Sequence, residues 1–497
     1  MPLPTLLAGI DLGSNSFRLE IGQVEAGHIQ RVEYLKETVR QGNGLDADRN
    51  LSDDAMQRGW DCLARFAERI AGFKKSQVRA VATQTLREAR NRDVFINKGS
   101  AILGFPIDVI SGREEARLIY CGVANLLPQS NERRLVVDIG GRSTEFILGQ
   151  ALASSMTESY RLGSVAWSMR YFPDGKFSVS SFERAEIAAS AILDEAQSAF
   201  SKDHWDCAYG SSGTVGAVAD VLQAAGYAQG VVSAEGLDWL CAELVRCGSA
   251  DKITLTGIKE DRRAVIGGGV SVLRAVFKLL EISEMKVALG ALRQGIVYDL
   301  IDREQEMTDV RTSTVLHLRE KFSADAAQAQ RVSKVAMQFF TQLSESTDID
   351  MPERMARKLN WAAQLHEIGS RISHSDYHKH GAYILDNADA PGFALPELHR
   401  LSQLVLGHRG KLRKLDPTLD DSAFSCQLLS LRLAVILCHA RRTPDTAALM
   451  LRTTKNSFVL RTPQAWSTQY PQSAHLLQEE VLAWQKSRYQ LQVEIVD

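Results

Sequence analysis

Asp11-Leu-Gly-Ser-Asn-Ser-Phe-Arg-Leu-Glu-Ile-Gly-Gln23 and Asp138-Ile-Gly-Gly-Arg-Ser-Thr-Glu-Phe-Ile-Leu-Gly-Gln150 can be laid one over the other at a constant offset of 127 residues. Asp, Gly, Ser, Gly and Gln coincide. In both stretches an apolar run ends at Asp-x-Gly, a small polar turn follows, and a second strand leads away. Each reads as a β-hairpin whose turn is built from Gly and Ser. One such hairpin is ordinary. Two in register predict a duplicated half-domain, with both turns on the same side of a cleft.

Working outward, strand-like apolar runs alternate with helical patterns from residue 5 to about residue 300, which predicts an α/β region. One helix is easily placed: Ser52 caps it, Asp53 and Asp54 suit its positive end, and Met56, Trp60, Leu63, Phe66 and Ile70 line one face. The polar segment 302–314 interrupts the alternation, and the chain then reads as helical to about residue 445. Histidine usage shifts at the same place, with 8 of 11 beyond residue 360. Residues 457–462 and 489–496 read as strands. The expected division is 1–125 and 126–304 for the two α/β halves, 305–445 for a helical domain, and 446–497 for a small C-terminal domain.

The 497 residues exceed what one hydrophobic core serves, and two to four domains are expected. Apolar residues make up 45% and charged residues 24%, which argues against long disorder. Lys and Arg number 58 against 60 Asp and Glu, a net charge of -2 that disfavours a dedicated nucleic-acid binder while permitting a local basic patch. The seven cysteines form no C-x-x-C pair and read as buried thiols in a reducing compartment. The N-terminal MPLPTLLAGIDLG has neither the basic region nor the cleavage site of a signal peptide. No apolar run approaches the roughly 20 residues that cross a bilayer. A cytoplasmic protein is expected.

The two turns suit phosphate. Glycine lets the backbone approach a ligand closely, and successive N–H groups in such a turn make an anion-binding concavity. Gly13, Ser14, Asn15 and Ser16 supply one turn; Gly140, Gly141, Ser143 and Thr144 supply the other. Asp11 and Asp138, at strand ends, can hold Mg²⁺ or its water shell. Other strand-to-helix junctions repeat the theme: residues 80–91 with Thr83, Thr85, Arg87 and Asn91, residues 208–218 with Ser211, Ser212, Gly213 and Thr214, and residues 287–295 with Gly290, Arg293 and Gly295. Each can point donors or a helix N-terminus into one cleft. In residues 109–123, Ser111 and Glu114 stand in the S-x-x-E relation of a capping box, which gives Glu114 a structural task. Glu115 has none. It begins the face continued by Ile119, Val123 and Leu126, so it is either paired with Arg113 or Arg117, or open to the cleft as a candidate base.

Taken together, DLGSNSFRL, ATQTLREARN, ISGREEARLIYCGV, VVDIGGRSTE, GSSGTV and GALRQG resemble, in order and spacing, the exopolyphosphatase / guanosine pentaphosphate phosphohydrolase (Ppx/GppA phosphatase) family. AAQLHEIG and HGAYIL extend the resemblance through the helical region. It implies duplicated actin-like α/β domains of the sugar kinase/Hsp70/actin kind, an all-α HD-like domain, a small C-terminal α+β domain, and a homodimer. It implies hydrolysis of a terminal phosphoanhydride in inorganic polyphosphate, with the 5′ γ-phosphate of guanosine pentaphosphate (pppGpp) as the alternative or additional substrate. The family's catalytic glutamate falls on Glu115 and its Mg²⁺-linked aspartate on Asp138, with Glu145 assisting at the metal or water. Arg87 and Arg293 are further candidates for stabilising phosphoryl charge. Remoter readings are a sugar kinase or actin-like ATPase, and an alarmone-binding regulator without turnover.

Two positions depart from the family pattern. Arg142 replaces the third glycine of DIGGGST, where a side chain can either disturb the turn or add a cation for phosphate. The HD-like segment reads His366-Glu367 in place of His-Asp; His374, His378 and His380 lie nearby, and a structural or substrate-channel domain is expected over a second metal site. Finally, ten Lys/Arg stand against four acids between residues 400 and 460, concentrated at Arg409-Gly-Lys-Leu-Arg-Lys414. Lys411, Arg413 and Lys414 are therefore expected to form a track for an extended anion.

Overall fold

The computed structural model describes residues 5–25, 28–303, 308–415, 418–454, 457–485 and 487–496. It divides into two compact units, Met1–Thr308 and Asp309–Asp497. Among the described residues, no helix is long and apolar enough to cross a membrane.

The first unit contains two sheets. In chain order, its first half supplies β1 (Thr5–Leu12), β2 (Phe17–Glu25), β3 (His28–Glu37), α1 (Asp53–Arg69), β4 (Val78–Ala82), α2 (Gln84–Glu88), β5 (Ile107–Val109) and α3 (Gly112–Leu126). The second half supplies β6 (Arg133–Ile139), β7 (Thr144–Gln150), β8 (Ala153–Tyr160), β9 (Cys207–Ser211), α4 (Ser212–Ala224), β10 (Val231–Ser233), β11 (Glu284–Val287) and α5 (Leu292–Arg303). The sheet orders are β3-β2-β1-β4-β5 and β8-β7-β6-β9-β11-β10. Each sheet begins as an antiparallel three-strand meander and continues through parallel strands, β1 beside β4 and β6 beside β9. The repeat seen in the sequence is thus a repeat of topology. It extends to register: Asp11 stands opposite Arg18, and Asp138 opposite Glu145, at the same offset of 127.

Helix α1 forms where its pattern predicts. The Ser52 side chain accepts the Ala55 N–H, two acids occupy the first turn, and Met56, Trp60, Leu63 and Phe66 are buried. The second half has its own apolar core, built from Leu135, Val137, Phe146, Trp167, Phe200 and Val270 among others. Helix α5 returns to the first half and packs on α3 and β1. That crossing is unusually close. A Cβ at Gly295 would stand 1.7 Å from the Leu118 carbonyl oxygen, and one at Gly122 would stand 2.2 Å from that of Ala291. Gly295 was expected to serve a ligand; it serves this helix contact. Asp299 of α5 is the hub of a buried ion network, paired with Arg79 of β4, Arg117 of α3 and Arg303.

The second unit begins with the helices Val310–Lys321, Ala326–Ser344, Pro352–Leu365, Tyr377–Asn387, Leu395–Gly407 and Ser422–Leu437. A three-stranded sheet follows, β12 (Met450–Thr454), β13 (Ser457–Pro463) and β14 (Gln490–Val496). β13 and β14 are parallel, so the chain between them must cross over, which it does through the helix Pro471–Trp484. One apolar core joins the helices to this sheet, with Phe339, Phe424, Phe458 and Trp484 in the same cluster.

Candidate functional site

The two hairpin turns have matching backbones. The Gly140 N–H donates to the Ser143 carbonyl at 2.9 Å. A Cβ at Gly13 would stand 3.0 Å from the Ser16 carbonyl oxygen, and one at Gly140 would stand 3.1 Å from that of Ser143. Glycine at both places lets the turn fold back on itself. The tips also meet: a Cβ at Gly141 would lie 3.1 Å from that of Ser14, whose hydroxyl accepts from Thr85 at 2.7 Å.

Between the two halves lies a cavity of about 440 Å³. Gly13, Ser14, Asn15 and Ser16 line it from the first turn, and Gly140, Gly141 and Ser143 from the second. Asp11 and Asp138 stand at the ends of β1 and β6, Glu115 comes from the first turn of α3, and Arg293 from α5. Ser212, Gly213 and Thr214, the first residues of α4, complete the wall, with the Thr214 N–H donating to the Ser212 hydroxyl at 3.2 Å.

The carboxylates sit in unequal surroundings. Asp11 faces a cation across the hairpin, with Arg18 at 2.9 Å. Asp138 faces another acid, Glu145, and like charges directly opposite are unfavourable. Burial raises Asp138 to about 6, with the Asp11 charge adding to the rise and Ser211, Arg18 and Arg293 opposing it. Burial, then Glu115 and Asp138, push Glu145 well above the usual carboxylate range. Burial likewise raises Glu115 to about 7, with Asp11 and Asp138 adding to it and Arg87 opposing. Among the described residues, no group of three or more His, Cys, Asp or Glu side chains forms a ready-made metal centre.

The expected division of labour between Glu114 and Glu115 needs one revision. The Ser111 hydroxyl does accept the Glu114 N–H, at 3.1 Å, but the Glu114 carboxylate does not complete a capping box. It is buried against Arg117 at 2.7 Å and Arg79 at 3.4 Å, within the Asp299 network. Glu115 points the other way, to the cavity, and its ion-pair partner is Arg87 at 3.2 Å. Neither Arg113 nor Arg117 pairs with it: Arg113 is bound to Glu158, Arg117 to Glu114 and Asp299.

Three expected site residues lie behind the cavity wall. Thr144 is buried and donates to the Leu162 carbonyl. Glu145 is buried and accepts from Ser159 at 2.9 Å. Arg87, expected at phosphate, donates instead to Glu115, Gln84 and the Ile110 carbonyl. Its cation is paired with the Glu115 carboxylate. Arg142 takes neither of its two expected courses. The turn keeps its bond, and the guanidinium reaches away from the cavity to Glu88 and the Gly42 carbonyl.

The lining residues that carry no sign of a ligand in the sequence include Arg18, Tyr34, Lys36, Lys259 and Arg262. Arg18 lay within the first quoted motif, but a strand residue beside an Asp gives no sign of facing a ligand. Lys259 and Arg262 sit in the basic run GIKEDRR, which carries no pattern of its own. Arg262 reaches the cavity because position 213 is glycine; a Cβ there would stand 2.0 Å from its guanidinium.

In the second unit the basic count overstated the free charge. Arg432 is buried with Glu480, Arg400 pairs with Asp421, and Arg441 pairs with Asp325 and Glu367. Three of these acids lie outside the counted window, so the window missed them. Arg409 stacks on Tyr377 at 4.8 Å, while Lys411 and Arg413 are exposed. The Lys414 side chain, with Asp416 and Lys455, lies outside the described residues. His366 is buried, bonded to the Ala363 carbonyl, with its ring 5.5 Å from that of His408.

The duplicated sheets with paired turns around one cavity define the actin-like fold. Residues 20–304 match the Ppx/GppA phosphatase family, and residues 310–481 match domain III of Ppx/GppA phosphatase. The chain belongs to the Ppx/GppA phosphatase family. A guanosine-5'-triphosphate,3'-diphosphate pyrophosphatase of Photobacterium profundum is 36% identical over 484 residues, 96% of each chain. Among solved structures, an exopolyphosphatase-like protein is 26% identical with a TM-score of 0.54, over 59% of this chain and 97% of that one. An exopolyphosphatase from Cytophaga hutchinsonii ATCC 33406 shares the fold, at 23% identity and a TM-score of 0.54, over 60% of this chain and 98% of that one.

Proposed function

We propose that this phosphatase-family hydrolase removes the 5′-terminal phosphate of guanosine pentaphosphate as orthophosphate. The observation that carries the chemistry is that Glu115, buried and held by Arg87, opens on the same cavity as both Gly/Ser turns and the start of α4. The turn N–H groups and hydroxyls bind the terminal phosphoryl oxygens, and Arg293, which lines the same cavity and pairs with Glu20 at 2.8 Å, adds positive charge to it. Glu115 orients a water molecule and accepts its proton as the new P–O bond forms and the bridging P–O bond breaks. Such a transfer depends on positioning and electrostatics, so donors and one base suffice.

Asp11 and Asp138 fit Mg²⁺. They are buried oxygen donors that line the same cavity from its two halves, and burial raises both carboxyls, a state that a divalent cation relieves. Two carboxylates without a full cage suit an ion that keeps much of its water. When bound, it neutralises charge on the phosphate oxygens.

The two activities share these motifs, and inorganic polyphosphate is the first expectation from the sequence; the 36% identical relative moves the nucleotide ahead. The exposed Lys411 and Arg413 favour polyphosphate as a second reading. The test is phosphate release from guanosine pentaphosphate and from long polyphosphate, side by side, with Mg²⁺ and with excess chelator. Higher kcat/KM on the nucleotide and no release in chelator are expected. Faster release from polyphosphate, with a KM for long chains that rises on changing Lys411 and Arg413 to Ala and loses part of its salt dependence, would establish the second reading. Tight nucleotide binding without release would leave only a sensor.

A further inference from the structure

Arg142 stands at the tip of the second turn, between Gly141 and Ser143, where the sequence departs from the DIGGGST pattern that it otherwise resembles. Its side chain does not line the cavity. It crosses to the first half of the unit, where Nη2 and Nε lie 3.1 and 3.3 Å from Glu88 Oε2 and Nη1 donates to the Gly42 carbonyl at 3.2 Å. Glu88 ends α2, a helix of only five residues. Along that helix the bonds continue. The Gln84 side-chain Nε2 donates to the other Glu88 oxygen at 2.6 Å, and the Gln84 side-chain Oε1 accepts from Arg87 Nε at 2.9 Å. Arg87 closes the chain with both terminal nitrogens 3.2 Å from Glu115 Oε2.

We propose that Arg142 is a positioning residue that fixes the orientation of the Glu115 carboxylate through Glu88, Gln84 and Arg87 when the second turn is seated on the first half. The inference rests on the reading of Glu115 as the base. The geometry supplies the reason for the long path. A five-residue helix has almost no intrinsic stability and takes its orientation from the groups that hold its side chains. Arg142 is the group that holds its end from the opposite half. The carboxylate–guanidinium contact is well shielded, with the two side chains 20% and 15% exposed, so it is worth more than a surface ion pair. Without it, Glu88 and Gln84 can shift and leave Arg87 restrained on that side only by the Ile110 carbonyl, and a small displacement of a base costs rate without costing substrate affinity.

The test measures kcat and KM separately in Arg142→Gly, Arg142→Lys, Glu88→Gln and the Arg142→Gly/Glu88→Gln double variant, with Glu115→Gln in parallel and folding checked by circular dichroism. Expected are a fall in kcat of roughly tenfold for Arg142→Gly with KM nearly unchanged, partial recovery in Arg142→Lys, and a double variant no slower than the worse single. A rise in KM with kcat preserved would make Arg142 a substrate contact and overturn the proposal. So would strictly multiplicative losses in the double variant. If Arg142→Gly does not fold, Glu88→Gln tests the same link from the other end. Full activity in Glu115→Gln would overturn the underlying assignment of the base instead, and is distinguishable from unchanged kcat in Arg142→Gly beside an inactive Glu115→Gln.

Discussion

Glu114 and Glu115 are chemically identical neighbours that the helix turns to opposite fates. One lies in the ion network under α3, the other on the cavity. Glu115→Gln keeps the shape and loses the base, so turnover should fall by roughly 10²–10⁴-fold with little change in melting temperature. Glu114→Gln should do the reverse, lowering stability by about 1–3 kcal/mol while folded protein keeps most of its turnover. Activity and thermal melts measured on both variants separate the two roles; exchanged outcomes would reverse the assignment. The environment of Glu115 also sets a pH dependence. A base must be ionised, and a carboxyl raised to about 7 is protonated below that value. The kcat/KM of the unmodified protein should therefore fall about tenfold per pH unit below pH 7, and a profile flat from about pH 5 to 8 would contradict the role of Glu115.

At the scale of elements, two hairpins in the same register differ in charge because of one cross-strand position. Asp11 faces the cation Arg18, whereas Asp138 faces Glu145, a carboxyl that burial and its neighbours push toward the neutral form. Sequence alignment of the two copies exposes this asymmetry, but only the sheet pairing makes it a contact. Helices α3 and α5 are joined in turn by the Asp299 network. Burial alone would raise the Asp299 carboxyl, but Arg117, Arg79 and Arg303 outweigh it and hold it well below the usual carboxylate range. Asp299→Asn removes the carboxylate that Arg79, Arg117 and Arg303 share and leaves Glu114 as the buried acid beside Arg79 and Arg117, and it should destabilise the protein by about 3–5 kcal/mol at neutral pH. A depressed carboxyl contributes its stability above its unfolded value and loses it as the pH falls. The gap between the two proteins in urea melts should thus persist down to about pH 4 and shrink below it. An equal midpoint at neutral pH would show that the network is dispensable.

At the scale of the whole molecule, the chain switches from α/β to helical architecture between its two compact units. The core of the second unit is drawn entirely from residues 315–491 and runs through both the helices and the C-terminal sheet. A fragment of residues 309–497 should accordingly fold alone and unfold in one cooperative transition seen by both circular dichroism and tryptophan fluorescence. Two separate transitions, with the sheet lost first, would divide the helices from the sheet.

The duplicated hairpins, their turns, α1 with its Ser52 cap, the change of architecture near residue 305 and the final strands are all legible in the chain before it folds. Each is local: a two- or 3.6-residue periodicity, a cap three residues from its partner, a turn closed by Gly. Asp11, Asp138, Glu115, Gly213 and Arg293 are legible as well, because each sits within a short motif whose local shape aims it. Which partners the charges find is settled only by packing. Arg87 leaves phosphate for Glu115, Arg142 crosses to Glu88, Gly295 yields to a helix contact, and Arg18, Lys36, Lys259 and Arg262 arrive at the cavity unannounced. The physical reason is reach. A long cationic side chain spans several ångströms and satisfies itself on whatever acid the fold brings within range, and that acid can lie 220 residues along the chain, as Asp299 does from Arg79.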